Sequence, residues 1–261
     1  MKILFIGDIV GRPGRKIIKK FLPKLKSEFE IDYVIANYEN AAHGFGITPK
    51  IFNELKNAGI DIFTGGNHTF DRKKDAVLLL NENKILRPLN YFEAPGKWYY
   101  EDENIIVISA MGVFSMPYGK NPFIELKNFV ENKNKFIFID FHAEATAEKR
   151  VLFHLLKGKA GAVIGTHTHI GTDDLEINEG TCYLTDIGLT GCGDNVIGMD
   201  VQGPLVSELT GLKERFDVPD KCKSIMQCLI IESDGRFSKR AFKLKIIDEE
   251  IIKTQEVSYG N

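Results

Sequence analysis

Apolar residues along the chain fall into two alternating textures. Short β-branched and aromatic runs at Lys2–Ile6, Tyr33–Asn37, Ile60–Thr64, Ile105–Ala110, Phe136–Phe141 and Ala162–Gly165 read as strands. Between them, Arg15–Phe29, Pro49–Ala58, Arg72–Asn81, Phe123–Asn132 and Glu144–Lys157 space their apolar residues three and four apart and read as helices. Thr48-Pro49 offers a cap and a first-turn proline to the second of these, and Asn57-Ala58-Gly59 a matching stop. Beyond about Thr181 the texture becomes strand-like, at Thr181–Thr185, Ser224–Glu232 and Arg236–Ile246, with Asp234-Gly235 as a hairpin turn. That change implies a second sheet. With no Pro/Ser-rich linker, low-complexity stretch or internal repeat, residues 1–261 are expected to form a single domain. Its architecture would be α/β, a two-sheet β-sandwich flanked by helices.

Composition narrows the function classes. The 261 residues carry 34 Lys+Arg against 36 Asp+Glu, a formal charge of −2, which disfavours a long-nucleic-acid binder with a basic stripe. An anionic substrate must therefore be held locally. Gly7, Asp8 and Gly11 interrupt the opening MKILFIGDIVGRPGRK before a secretory core could form, and no window nears the roughly 18 apolar residues of a membrane span. Cys182, Cys192, Cys222 and Cys228 show neither a CxxC pair nor metal-type spacing, so free thiols in a cytoplasmic protein are expected.

The informative polar residues lie just past the ends of apolar strands. Asp8 follows KILFIG, Glu39-Asn40 follows YVIANY, Asn67-His68 follows IDIFTGG, His142 follows FIFIDF, and His167 and His169 follow GAVIGT. Ligands of α/β sheets bind at the carboxyl ends of strands, so these side chains should share one edge. His167 and His169 at alternate positions would face opposite ways in an extended segment, serving two metals more easily than one. Glu39 is the best bridging carboxylate. Oxygen and imidazole donors without thiolate suit Fe, Mn or Zn. A metal pair about 3.5–4 Å apart supplies a bridging hydroxide for in-line attack on phosphorus, which makes phosphoester hydrolysis the natural chemistry.

The ordered set GD, YEN, GGNH, FH and GTHTH resembles the calcineurin-like metallophosphoesterases. More closely, GDIVGRPGR, ENAAHGFGIT, TGGNHTFD, DFHAEATAEK, GTHTH and TDIGLTG resemble the bacterial YmdB-type cyclic-nucleotide phosphodiesterases, over nearly the whole chain. The wider superfamily usually places a His two residues after its first Asp, where Val10 stands here, and a bridging Asp where Glu39 stands. Both departures match the YmdB-type pattern. The resemblance implies a four-layer α/β/β/α fold and two transition-metal ions, iron by preference, with manganese or zinc as substitutes. It assigns one metal to Asp8, Glu39, Asn40 and His169 and the second to Glu39, Asn67, His142 and His167. His68 then remains free of metal to protonate the leaving alkoxide.

The reaction so implied is hydrolysis of 2′,3′- or 3′,5′-cyclic nucleotides by a metal-bridging hydroxide. Another phosphoesterase on the same centre, a phosphomonoesterase or nuclease, is the alternative, and a non-catalytic nucleotide-sensing regulator is a second. The partners implied are a small phosphodiester substrate, with no stable nucleic-acid complex, no membrane and room for a homo-oligomer. Gly65-Gly66 should let main chain approach the metals closely. His43 is a candidate substrate contact, His154 reads as a helix-packing histidine, and Arg12 and Arg15 as either phosphate contacts or surface residues of a helix start. The run GCGDNVIGMDVQGPL within 191–211 is expected to border the site.

Overall fold

The computed structural model describes residues 1–82, 84–91, 93–116 and 119–260. In chain order the elements are β1 (Lys2–Ile6), α1 (Gly11–Phe29), β2 (Tyr33–Asn37), α2 (Pro49–Asn57), β3 (Ile62–Thr64), α3 (Lys73–Leu79), β4 (Tyr99–Glu101) and β5 (Ile105–Met111). There follow α4 (Pro122–Val130), β6 (Phe136–His142), α5 (Thr146–Leu156), β7 (Ala162–Thr166), β8 (Glu176–Asn178), β9 (Thr181–Leu184) and β10 (Gly191–Cys192). The chain ends with α6 (Gln202–Thr210), β11 (Ser224–Ser233), β12 (Ser238–Ile247) and β13 (Glu250–Ser258). The capping expectation holds at α2, where the Thr48 side chain accepts the Ile51 N–H at 3.3 Å and Pro49 opens the helix.

Alternation along the strands builds the layers. In β1, Leu4 and Ile6 face α1, α2 and α3, whereas Ile3 and Phe5 face the second sheet. Phe5 meets Phe138 of β6 across the inter-sheet core, with ring centroids 4.8 Å apart. On the far side, Ile106, Ile108, Ile137 and Ile139 pack against Leu126 and Val130 of α4 and Leu152, Phe153 and Leu156 of α5. The result is the α/β/β/α sandwich.

The division of strands between sheets differs from the sequence expectation. One sheet runs β13-β12-β11-β1-β2-β3, with β10 paired to β11, and the other runs β4-β5-β6-β7-β9-β8. The carboxyl-terminal strands therefore complete the first sheet instead of forming a second. β11 returns antiparallel beside β1, placing Cys228 opposite Ile6, a long-range pairing that local texture does not encode. Within each sheet the central strands are parallel, β1-β2-β3 in one and β5-β6-β7-β9 in the other.

The free-thiol expectation is corrected for one pair. Cys192 and Cys222 form a disulfide with Cα atoms 5.6 Å apart, because β10 pairs with the start of β11 just beyond Cys222. Cys182 and Cys228 are free and buried. His154, expected to pack, is instead exposed on α5 beside Phe153. Among the described residues no helix is long and apolar enough to cross a membrane.

Candidate metal centre

Every chemistry-bearing residue singled out from the sequence lies at or beyond the carboxyl end of a parallel strand. Asp8 follows β1, Glu39 and Asn40 follow β2, and Asn67 and His68 follow β3; His142 closes β6, and His167 and His169 follow β7. Asp8, Glu39, Asn40, His142 and His169 are buried, and Asn67, His68 and His167 are half-buried. Two donor groups form there. Glu39, His142 and His167 make one, and Asp8, Glu39 and His169 the other, each with its ligand atoms within 4.8 Å of one another. Glu39 belongs to both.

The contacts inside the cluster are between ligand-type atoms. His142 Nε2 lies 3.1 Å from Glu39 Oε1, 2.9 Å from Asn67 Oδ1 and 3.0 Å from His167 Nδ1. On the other side, His169 Nε2 lies 3.2 Å from Asn40 Oδ1, while the Asn40 amide donates to the Gly44 carbonyl at 2.8 Å, fixing its oxygen toward His169. Glu39 Oε2 accepts the His68 N–H at 3.1 Å. Asp8 Oδ2 accepts the His167 N–H at 3.2 Å, but Asp8 Oδ1 is fully buried with no hydrogen-bond partner.

That orphaned oxygen tests the fit of a metal. A buried carboxylate oxygen without a donor is costly unless a cation faces it. Electrostatics agree. Burial pushes the Asp8 carboxyl up, against the pull of His169 and His142. Burial also opposes charge on His142, yet the Glu39 carboxylate, with Asp8 and Asp140 behind it, raises that imidazole to about 9. Burial would raise Glu39 as well, but His142 carries it down to about 2. His167, desolvated and beside charged His142, falls to about 3. The centre thus draws a proton onto the ring where three donor atoms converge. The donor set fits divalent transition metals.

Main-chain geometry admits the cluster. A Cβ at Gly66 would stand 2.1 Å from Glu39 Oε2 and 2.4 Å from His142 Nε2, so the close approach expected of Gly65-Gly66 is observed. The two histidines after β7 are separated by a different device from the one expected. The segment beyond Thr166 is not extended; His167 and His169 adopt φ of 98° and 66°, in the left-handed region.

Beside the centre opens a cavity of about 770 Å³ whose wall includes His43, Phe45, His68, Asp71, Arg72 and Phe216. His68 Nδ1 contacts Asp71 Oδ2 at 2.7 Å, and the ring stands edge-on to Phe45 with centroids 5.0 Å apart. Arg72 donates to the carbonyls of Phe45 and Ala42 and so braces the loop bearing His43. Arg15 donates to the Ala41 carbonyl at 2.7 Å and pairs with Glu54, and Arg12 pairs with Asp220, so both act as braces and surface residues. The 191–211 segment does border the centre, since the Ile197 carbonyl accepts from His169 Nδ1 at 2.7 Å.

A family model described as YmdB-like protein matches residues 4–247. The chain belongs to the YmdB-like family. It is 41% identical over 256 residues to a Bacillus subtilis (strain 168) protein named 2',3'-cyclic-nucleotide 2'-phosphodiesterase, covering 95% of this chain and 96% of that one. The crystal structure of a Mycoplasma pneumoniae protein described as a novel phosphatase superposes with a TM-score of 0.89 at 33% identity, covering 95% of this chain and 93% of the other. A Thermus thermophilus structure, described as a hypothetical protein, gives a TM-score of 0.89 at 34% identity, covering 95% and 99%. As in those relatives, the fold is the sandwich of the metallophosphoesterases.

In this YmdB-like chain, sequence reasoning found the potential ligands and missed their supports. The Asp140 carboxylate accepts from Asn37 Nδ2 at 2.9 Å and from the hydroxyls of Thr64 at 2.5 Å and Thr166 at 2.6 Å. It thereby ties the ends of β2 and β3 to β6 and β7 across the two sheets. Asp71 was within reach of the sequence: it lies three residues after His68, inside TGGNHTFD.

Proposed function

We propose that the chain is a binuclear-metal phosphodiesterase of cyclic nucleotides, with residues 1–261 as one metallophosphoesterase domain. The 2′,3′-cyclic nucleotides are its first candidate substrates, the class named for the Bacillus subtilis relative, and 3′,5′-cyclic forms are the second. The observation that carries the reading is the pair of donor groups sharing Glu39, with the orphaned Asp8 Oδ1 inside. Asp8, Glu39, Asn40 and His169 hold one metal, and Glu39, Asn67, His142 and His167 the other. Iron is the metal proposed, with manganese or zinc as substitutes. Bound there, the two ions supply Lewis acidity and a nucleophile derived from water.

The chain's own residues do the rest. Asp71 orients His68 through Nδ1; as the imidazolium, His68 donates Nδ1–H to Asp71 and Nε2–H to a phosphoryl oxygen, and passes the Nε2 proton to the departing ribose oxygen. The cavity beside His68 receives the nucleoside. Opening the cyclic diester breaks one P–O bond and yields a nucleoside monophosphate. A cytoplasmic setting belongs to the same proposal, although with the Cys192–Cys222 disulfide formed it no longer rests on four free thiols.

The test is metal analysis followed by turnover. Purified protein, stripped and reconstituted with Fe or Mn, should hydrolyse 2′,3′-cyclic AMP and bis-p-nitrophenyl phosphate in preference to p-nitrophenyl phosphate or short RNA. Absence of bound transition metal, together with inactivity after reconstitution, sinks the reading. A preference for p-nitrophenyl phosphate would move it to a phosphomonoesterase.

A further inference from the structure

Three motifs singled out in the sequence contain residues that the metal assignments leave unused: Lys149 at the end of DFHAEATAEK, Thr168 between the two histidines of GTHTH, and Asp186 in TDIGLTG. The fold joins them in one buried contact. Lys149 is fully buried on α5, and its Nζ donates to Asp186 Oδ2 at 2.8 Å. The same oxygen accepts the Thr168 N–H at 3.1 Å and the Thr168 hydroxyl at 2.8 Å, while Asp186 Oδ1 accepts the Gly188 N–H at 2.8 Å.

The place of Thr168 gives this contact its meaning. Its neighbours on both sides, His167 and His169, hold left-handed backbone that a residue with a side chain rarely adopts, and such strain persists only where the surroundings over-determine it. Asp186 grips the residue between them by main chain and side chain together. Gly165 makes that reach possible, because a Cβ there would stand 1.8 Å from the Thr185 carbonyl oxygen, so any larger residue would push the Asp186 segment away from β7. A buried ion pair is by itself weak support for stability, since desolvation offsets its attraction. A pair whose acceptor is spent on one residue of a strained turn has a geometric use instead.

We propose that Asp186, charge-balanced by Lys149, is a positioning residue: through Thr168 it holds His167 and His169 in the turn that presents them to two different metals. This inference rests on the metal reading above. It acts through the histidines and needs no contact with substrate.

Thr168 gives the cleanest test, because Thr168→Val removes the hydroxyl donor while keeping shape and leaving Lys149 and Asp186 paired. Mn²⁺ alone is titrated into stripped wild type, T168V and T168S, with free Mn²⁺ followed by electron paramagnetic resonance. Absorption of the Co²⁺-loaded proteins and melting of the metal-free proteins are recorded in parallel. Loss of a partner that orients a metal ligand costs about 10- to 100-fold in affinity, and a fall of that size is expected for T168V. Its Co²⁺ spectrum should change, T168S should restore both, and the metal-free proteins should melt together. Wild-type Mn²⁺ affinity in T168V, or a loss that merely follows a lower melting temperature without metal, would overturn the inference. Wild type that binds no Mn²⁺ would instead overturn the metal reading, and this inference with it.

Discussion

The Thr166 hydroxyl lies 2.9 Å from His142 Nδ1 and 2.6 Å from Asp140 Oδ1. A hydroxyl has one proton. Thr166 gives it to the carboxylate and so accepts from Nδ1–H, which in the neutral imidazole leaves the lone pair on Nε2. That nitrogen is the one facing Glu39, Asn67 and His167. Asp140 thus sets the tautomer of a proposed metal ligand through an intermediate residue, an arrangement that raises ligand basicity and fixes ring orientation. Thr166→Val should lower metal affinity by about 10- to 100-fold. Chelator competition against wild type checks it, and equal affinity would refute the tautomer argument.

The proton-donor role proposed for His68 predicts a dependence on leaving group. His68→Ala should lower turnover of a cyclic nucleotide by about 10² to 10⁴, the usual contribution of a positioned acid. Bound metal should be retained, since the His68 backbone N–H, not its ring, contacts Glu39. With bis-p-nitrophenyl phosphate, whose leaving group needs little protonation, the loss should be far smaller. Asp71→Asn should fall between the two proteins because it disturbs only the Nδ1 contact at 2.7 Å. An equal loss on both substrates would show that His68 is not the acid.

Where the site was legible, one pattern carried it: a fully buried parallel strand reads as an unbroken apolar run, and the first polar residues after it mark the sheet edge. Asp8, Glu39 and Asn67 stand two or three residues past their strands, His167 directly follows β7, and His142 closes β6. The elements that were not legible lack this contrast. In α6 only Pro204 is buried, while Leu205, Val206 and Leu209 are exposed, so no helical stripe forms. The β13 sequence EIIKTQEVS has no buried residue at all and gains its strand from pairing with β12. Sheet membership was hidden for the same kind of reason, as the neighbour of β1 lies at the other end of the chain. The supports Asp140, Thr166 and Asp186 were missed because each sits in or beside an apolar strand and acts only after the sheets pack.

The Cys192–Cys222 disulfide closes the segment that carries Ile197 and α6, with a sequence separation of 30. Chain-entropy reasoning for a loop of that length gives about 3–4 kcal/mol of stabilisation. Reduction, or Cys192→Ser with Cys222→Ser, should therefore lower the unfolding free energy by a value of that order. Because the Ile197 carbonyl holds His169 Nδ1, metal affinity should fall as well. Denaturation in urea with and without dithiothreitol, run with a chelator-competition assay, measures both effects. Unchanged stability on full reduction would show that the segment is held by its other contacts.

Lys243 predicts how stability varies with pH. Its side chain is buried on β12, and burial lowers its pKa from 10.5 to about 8, outweighing the pull of Asp186. Between those two values the unfolded chain binds the proton that the folded chain has lost, so stability rises with pH across that window. Below pH 8 both states are charged and the full cost remains, up to about 3 kcal/mol at 1.36 kcal/mol per pKa unit. Lys243→Met should recover part of it at pH 7. The Thr172 carbonyl that Lys243 contacts at 3.0 Å keeps the Gln255 amide at 2.9 Å, so no acceptor is stranded. Urea unfolding at pH 7 and pH 10 should find the variant about 1–3 kcal/mol more stable than wild type at the lower pH, with the difference shrinking at the higher. A variant less stable at both would mean that the Lys243 contacts outweigh the desolvation of its charge.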